Sequence, residues 1–281
     1  MSRVRLTLKK APALRVDLRG VTPAALAGLG TAQIERLTVT HGMQTLALAE
    51  LFAVAREDTP KHTPERTPEA GDELVFAGDL SRFDRIGWQL AGGRIAVEGP
   101  VGDYAGACMS GGELLVHGGA GLLAACEMAG GTLTIDGDVG DHAASGLPGS
   151  IEGMRGGTLI VRGRAGDRFA DRMRRGTAIV FGDAGDFLAS RLVAGTIAIG
   201  GHAGAHIAYG MRRGSLVFAG AAPSVPPTFV PALANVAVAW QLLARDLARH
   251  GGPFAGLPAR RIGRHLGDLS ADGKGELIAV L

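Results

Sequence analysis

The sequence predicts a mainly β fold, a right-handed parallel β-helix of about seven coils. Three observations carry this expectation: a 19-residue period, glycines at fixed places within it, and an alternating apolar run closing each period. GPVGDYAGACMSGGELLVH (99–117), GGAGLLAACEMAGGTLTID (118–136), GRAGDRFADRMRRGTAIVF (163–181), GDAGDFLASRLVAGTIAIG (182–200) and GHAGAHIAYGMRRGSLVFA (201–219) align without gaps. The unit at 137–162 fits with a seven-residue insertion around Gly146 to Glu152, and a looser unit at 78–98 carries two extra residues.

The frame holds residue by residue. Its first position is glycine in all seven units, from Gly78 to Gly201, and its fourth is Gly102, Gly121, Gly140, Gly166, Gly185 and Gly204. The eleventh is Met109, Met128, Met154, Met173 and Met211, with Leu90 and Leu192 in the other two units, so five of the seven methionines share one register. The fourteenth runs from Gly112 to Gly214, and pairs such as Leu114 and Val116, Leu133 and Ile135, and Leu216 and Phe218 follow with strand alternation toward the interior. A period of 19 residues is too short for two packed helices and suits one coil whose strand pairs in parallel with its neighbours, ~4.8 Å away. The methionines then line the interior, and the glycines supply corner conformations closed to other residues.

Composition agrees. Among 281 residues there are 45 glycines, yet 46% of the chain is hydrophobic, which excludes a disordered linker. The glycines do not recur every third residue and prolines number only 13, which excludes collagen. A net charge of +2 and 5% aromatic residues argue against a dedicated nucleic-acid binder. Two cysteines, Cys108 and Cys126, give no disulfide framework and fit a reducing cytoplasm as buried thiols. No apolar h-region opens the chain, and no run approaches the ~20 residues of a membrane span.

The flanks lack the period, which divides the chain into an N-terminal β-rich cap (1–76), the repeats (77–220) and a C-terminal docking or capping segment (221–281). VRLTL, ALRVDL, IERLTVT and QTLALAEL read as strands, and TPAALAGL as a short helix with Thr22 as N-cap and Pro23 at N1. REDTPKHTPERTPEAG (56–71) reads as an exposed connection, NVAVAWQLLARDLARH as a helix, and RRIGRHLGDLSADGKGELIAVL as a loop with a short terminal strand.

The glycine pairs recur without an intervening helix, so they are not a dinucleotide fingerprint, and no G-x-x-x-x-G-K-[ST] loop is present. His202 and His206 form H-x-x-x-H, but at a coil corner they read as solvated residues rather than zinc ligands, and no catalytic constellation stands out. The pointed signal is arginine. Arg155, Arg174, Arg175, Arg212 and Arg213 hold positions twelve and thirteen of their units, with Arg164, Arg168 and Arg172 nearby. Stacking sets them along one corner, and their planar forks suit carboxylates or phosphates, either on a partner surface or on a polyanionic ligand. The alternative is a solvated face that serves solubility.

The pattern G-x-x-G-x6-M-x2-G-x-h-x-h, from Gly99 to Ala219, resembles the glycine-rich β-helix domain shared by the glutamate synthase large subunit and the C subunit of formylmethanofuran dehydrogenase. L-F-x-V at Leu51 to Val54, PTFVP at 227–231 and GDLSADGKGEL at 267–277 look most like the latter family. The richness in Ala, Arg and Gly resembles its bacterial branch, found in formyltransferase/hydrolase complexes of methylotrophs. The resemblance implies a noncatalytic scaffold subunit of a hetero-oligomer with formyltransferase, zinc-dependent amidohydrolase-like and formate dehydrogenase-like subunits. Such a complex converts formyl-tetrahydromethanopterin to formate through formylmethanofuran or methylofuran in formaldehyde oxidation. It further implies no metal held by this chain, and an anionic carrier that the arginines at 155, 174, 175, 212 and 213 would meet. Two alternatives remain: the C subunit of a molybdenum or tungsten formylmethanofuran dehydrogenase, and a stand-alone glutamate synthase module.

Overall fold

A computed structural model describes residues 2–58, 73–232 and 236–281. The expected connection at 56–71 falls mostly outside the described residues. The chain runs through β1 (Ser2–Leu8), β2 (Val16–Asp17), α1 (Pro23–Leu26), α2 (Thr31–Glu35), β3 (Thr38–His41), β4 (Gln44–Ala47), α3 (Leu48–Leu51) and β5 (Phe52–Asp58). β6 (Glu73–Ala77) leads into the repeats, which contribute β7 (Phe83–Asp84), β8 (Arg94–Glu98), β9 (Ser110–Val116), β10 (Gly130–Ile135), β11 (Thr158–Val161), β12 (Thr177–Val180), β13 (Thr196–Ile199) and β14 (Arg213–Phe218). Then come β15 (Val230–Pro231), α4 (Ala237–Ala248), β16 (Ile262–Gly267) and β17 (Lys274–Val280).

The fold is mainly β, built on one 13-stranded sheet in the order β15-β16-β17-β14-β13-β12-β11-β10-β9-β8-β6-β1-β5. From β1 to β17 across the middle of this order, every neighbour pair is parallel. The register is the sequence period itself. Leu74, Ile95, Leu114, Leu133, Leu159, Ala178, Ile197, Leu216 and Leu277 stand opposite one another in a single ladder. A second line of parallel bridges joins Leu80, Val101, Ala120, Val139, Ala165, Ala184 and Ala203, so each unit touches the next along two tracks. The stack ends in antiparallel strands, β5 against β1 on one side and β16 with β15 beyond β17 on the other.

The interior is the predicted one. Met109, Met128, Met154, Met173, Met211, Leu90 and Leu192 are buried, together with the inward residues of the strands. Burying one such side chain stabilises by about 1.5–3 kcal/mol.

The glycines divide into two kinds, where the sequence suggested one. Fourteenth-position glycines are left-handed, as Gly176 with φ +96° illustrates, and this is the corner role expected of them. Fourth-position glycines have ordinary φ and are needed for space: a Cβ on Gly185 would lie 2.2 Å from Asp167 Oδ1. That carboxylate accepts the Asp186 N–H at 2.8 Å, and Asp103, Asp141 and Asp186 do the same for Leu122, Asp167 and Ala205 in the following units. Where position five is aspartate, its carboxylate thus ties that unit to the next. Asp138 and Asp183, at position two, repeat the device toward Arg164 and His202.

Outside the repeats the expectations need revision. Of IERLTVT only the last three residues belong to a strand, β3, because Ile34 and Glu35 complete α2. Leu48–Leu51, read as strand, is a helical turn. In both helices a side chain three residues in reaches back to an unpaired N–H, Gln33 to Gly30 at 2.8 Å and Glu50 to Ala47 at 2.9 Å. The ALRVDL strand shrinks to Val16–Asp17. The N-cap of α1 is Thr22, as expected, accepting the Ala25 N–H at 3.3 Å.

The C-terminal segment holds a hairpin, β16 with β17, in place of a loop and one strand. Its turn is organised by Asp268, whose carboxylate accepts the Ser270 hydroxyl at 2.6 Å, the Ser270 N–H at 2.9 Å and the Gly210 N–H at 3.0 Å. The helix read from the sequence is α4. Its Trp240, Ala244 and Leu247 pack on Ile179, Ala198 and Val217, which point away from the methionine interior, so these outward strand residues are buried as well.

Candidate functional site: an arginine corner

The corner immediately after the methionine ladder carries the predicted arginines. Each Met–Arg–Arg run turns its methionine inward, and the next two positions face solvent because the chain is heading into the left-handed glycine. Arg155, Arg174, Arg175, Arg212 and Arg213 are all exposed. The structure gathers them around two adjoining grooves. One, of about 450 Å³, is lined by Arg155, Arg174, Arg175 and Arg213 with Glu152, Val193 and Ala194. The other, of about 650 Å³, adds Arg212 to Arg174 and brings in Arg172 and Arg191.

Arg191 lies outside the sequence-predicted set, although it holds the same tenth position as Arg172. Both residues are left-handed, with φ of 54° and 59°. Since Glu127 and Cys108 share that position and that conformation, the strain belongs to the architecture of the repeat. Arg191 is fixed by a fork on the buried Asp171 carboxylate, Nε at 3.0 Å and Nη2 at 2.6 Å. Arg172 donates from Nη1 to the Ser150 carbonyl at 2.6 Å. The far wall of this groove is the β16–β17 turn, Ser270 to Asp272.

Charge is unevenly balanced along the corner. Arg174 is paired with Glu152 of the insertion, and Arg155 Nη2 lies 3.8 Å from Glu127 Oε2. Arg175, Arg212 and Arg213 have no carboxylate partner among the described residues. Such a surface attracts anions and raises their local concentration. The other nearby arginines are elsewhere. Arg168 lies 4.6 Å over the Phe187 ring, and Arg164 Nη2 is 3.6 Å from Asp138.

The remaining candidates have structural surroundings. His202 accompanies its backbone contact with a ring nitrogen 3.3 Å from Asp183 Oδ1, and His206 stacks on Phe187 at 4.8 Å. Among the described residues no group of three or more His, Cys, Asp and Glu is arranged to hold a metal. The two thiols are free and adjacent in the stack, the Cys108 N–H donating to the Cys126 carbonyl at 2.7 Å. Cys126 is buried as expected and its thiol is pushed up to about 12 by that burial, whereas Cys108 is only partly covered. Among the described residues no helix is long and apolar enough to cross a membrane.

No family model matches the chain. Curated relatives align with part of it. The C subunit of the formyltransferase/hydrolase complex Fhc from Methylorubrum extorquens is 42% identical over 88 residues, 31% of this chain and 29% of that protein. The C subunit of a tungsten-containing formylmethanofuran dehydrogenase from Methanothermobacter wolfeii is 32% identical over 107 residues, 38% and 37% of the two chains. These alignments therefore span well under half of the curated relatives. A chain in the crystal structure of the M. extorquens formyltransferase/hydrolase complex FhcABCD, which contains methylofuran, matches across 98% of both chains with a TM-score of 0.85 and 39% identity. Repeats, flanks and end strands are thus shared throughout, and the chain belongs to the family of C subunits found in formyltransferase/hydrolase and formylmethanofuran dehydrogenase complexes.

Proposed function

We propose that this chain is the noncatalytic scaffold subunit of a cytoplasmic formyltransferase/hydrolase complex. The complex converts formyl-tetrahydromethanopterin to formate through formylmethanofuran or methylofuran. The observation that carries this reading is the likeness to the FhcABCD chain over 98% of both lengths at 39% identity. Its partners are a formyltransferase subunit, an amidohydrolase-like subunit that holds zinc, and a formate dehydrogenase-like subunit. The repeats close into a right-handed parallel β-helix of about seven coils, with 1–76 and 221–281 as terminal segments that meet neighbouring subunits. Parallel pairing on two tracks at one register supports that winding.

The arginine corner faces the anionic carrier or a carboxylate-rich partner surface. Arg155, Arg174, Arg175, Arg212 and Arg213 are the contacts, through guanidinium forks that match carboxylates. Copurification of the tagged chain from its native source with the large catalytic subunits tests the scaffold role, and a stable monomer without partners refutes it. Replacing Arg174, Arg175, Arg212 and Arg213 together with glutamine tests the corner: carrier turnover or assembly weakens while circular dichroism is retained. Unchanged kinetics and assembly would return the corner to a solvated face. A second reading, the C subunit of a molybdenum or tungsten formylmethanofuran dehydrogenase, draws on the 32% identity to the M. wolfeii protein and is separated by metal analysis of the purified assembly.

A further inference from the structure

The two ends of the stack are closed unequally. At the N-terminal end both tracks are covered. β1 continues the main ladder, and β2 pairs in parallel with β7 on the second track, Val16 N–H donating to the Arg82 carbonyl at 2.9 Å and Leu18 N–H to the Asp84 carbonyl at 3.0 Å. At the C-terminal end β17 covers the main ladder, but no described residue continues the second track beyond Ala203. A Cβ on Gly220 would still lie 2.2 Å from the Gly200 carbonyl oxygen, and from there the chain leaves the repeat.

The groups left open follow from the preceding units. The third-position N–H donates to the second carbonyl of the next unit, as Ala184 to His202 at 2.9 Å, and the sixth to the fifth, as Phe187 to Ala205 at 2.9 Å. In return the third and seventh carbonyls accept from the next unit, Ala184 from Gly204 at 2.9 Å and Leu188 from Ala208 at 2.8 Å. In the last unit the same groups are the N–H of Ala203 and of His206 and the carbonyls of Ala203 and Ile207, and none has a hydrogen-bond partner among the described residues. Gly210, at position ten, is the exception, because the Asp268 carboxylate accepts its N–H at 3.0 Å in place of a following carbonyl. Side chains end in the same way. Arg168 lies 4.6 Å over the Phe187 ring and Phe187 stacks 4.8 Å from His206, whose exposed ring ends the series.

We propose that an extended segment of a partner subunit adds in parallel to this open edge, as β2 does at the other end, and supplies the second track of one more unit. This rests on the reading of the chain as a subunit of a hetero-oligomeric complex, and it names where one partner enters. A parallel segment meets all of the open groups, with carbonyls three residues apart for Ala203 and His206 and N–H groups for the Ala203 and Ile207 carbonyls. A second copy does not fit. Its N-terminal edge already carries β2, and two C-terminal edges joined about a two-fold axis pair antiparallel, without this staggered pattern. The edge also sets the chemistry of the segment. A Cβ on Gly140 would lie 3.0 Å from the Gly121 carbonyl, so a chain crossing Gly204 at the same position needs glycine. Two residues later, a ring or a guanidinium would stack on His206.

Hydrogen exchange of the full chain, alone and in the complex copurified from its native source, tests this without a variant. The Ala203 and His206 amides are expected to exchange about tenfold or more slowly in the complex, with Gly210 protected in both states. Ala203→Pro removes one donor and sets a ring where the partner carbonyl would lie, yet breaks no hydrogen bond within the chain. It should weaken capture of the partner subunits about tenfold, and His206→Ala less. Partners retained while both amides exchange as fast as in the chain alone overturn the open edge and leave the scaffold reading standing, as does undiminished capture by Ala203→Pro. A wild-type chain that captures no partner overturns both. Protection that appears in the chain alone and grows with its concentration assigns the edge to a second copy and overturns the partner segment.

Discussion

Met173 and Arg174 are neighbours in sequence and opposites in every physical respect. One lies in a ladder that is fully buried along the stack, and the other in a ladder that is exposed apart from the partly covered Val193. The methionine ladder tolerates only side chains of one size and polarity, since every unit presses on the next. The arginine ladder is free to vary, and it does: position twelve is Arg155, Arg174, Val193 and Arg212 in successive units. Packing fixes the inner ladder, so the variation one residue further on is where a repeat protein can place a specific surface without disturbing its core.

The contrast is broken most sharply from the inside. Met173→Ala opens a cavity between stacked neighbours and should cost about 2–4 kcal/mol, read as a lower midpoint in denaturant unfolding. Next comes acid. Asp183 is held below its usual value of 3.8 chiefly by the His202 backbone N–H of the next unit. Burial opposes the charge on Asp268, but the Ser270 and Gly210 hydrogen bonds outweigh it and hold that carboxyl low too. A carboxyl that is more acidic in the folded chain leaves the unfolded chain binding more protons in acid. The stabilisation is complete above the ordinary carboxylate value and is lost as pH falls through the lower folded value. The melting temperature should therefore drop on acidification below about pH 4. Asp183→Asn and Asp268→Asn together should flatten that drop, and an identical acid limb in the double variant would remove these carboxylates as its cause. The smallest effect belongs to the outer ladder. Arg175→Gln with Arg213→Gln should leave stability within about 0.5 kcal/mol, because neither residue has a carboxylate partner among the described residues. A larger loss would mean that the corner is structural.

What could be read from the chain follows from periodicity. The interior ladders, the parallel sheet and the grouping of Arg174, Arg175, Arg212 and Arg213 all repeat, and equivalent positions must stack. The aspartates at position five repeat as well, but their role emerges only from the close approach at Gly185, where the Asp167 carboxylate sits on the next unit's backbone. Features that occur once left no such trace. The pairing of Glu152 with Arg174 depends on where one insertion folds, and the burial of Ile179 and Val217 depends on α4, which comes from far along the chain. In the N-terminal segment, apolar runs suggested strands at Ile34 and Leu48, where reach-back hydrogen bonds from Gln33 and Glu50 favour helical turns.

The antiparallel strands at both ends of the sheet have a consequence for size. A parallel stack offers its last strand as a template for one more coil, and at each end an antiparallel strand, β5 against β1 and β16 against β17, takes that place instead. Between these terminators the length of the body can change only by whole units, in steps of ~4.8 Å. The number of repeats is thus a ruler graduated in the sequence, setting how far apart anything attached to the two ends is held.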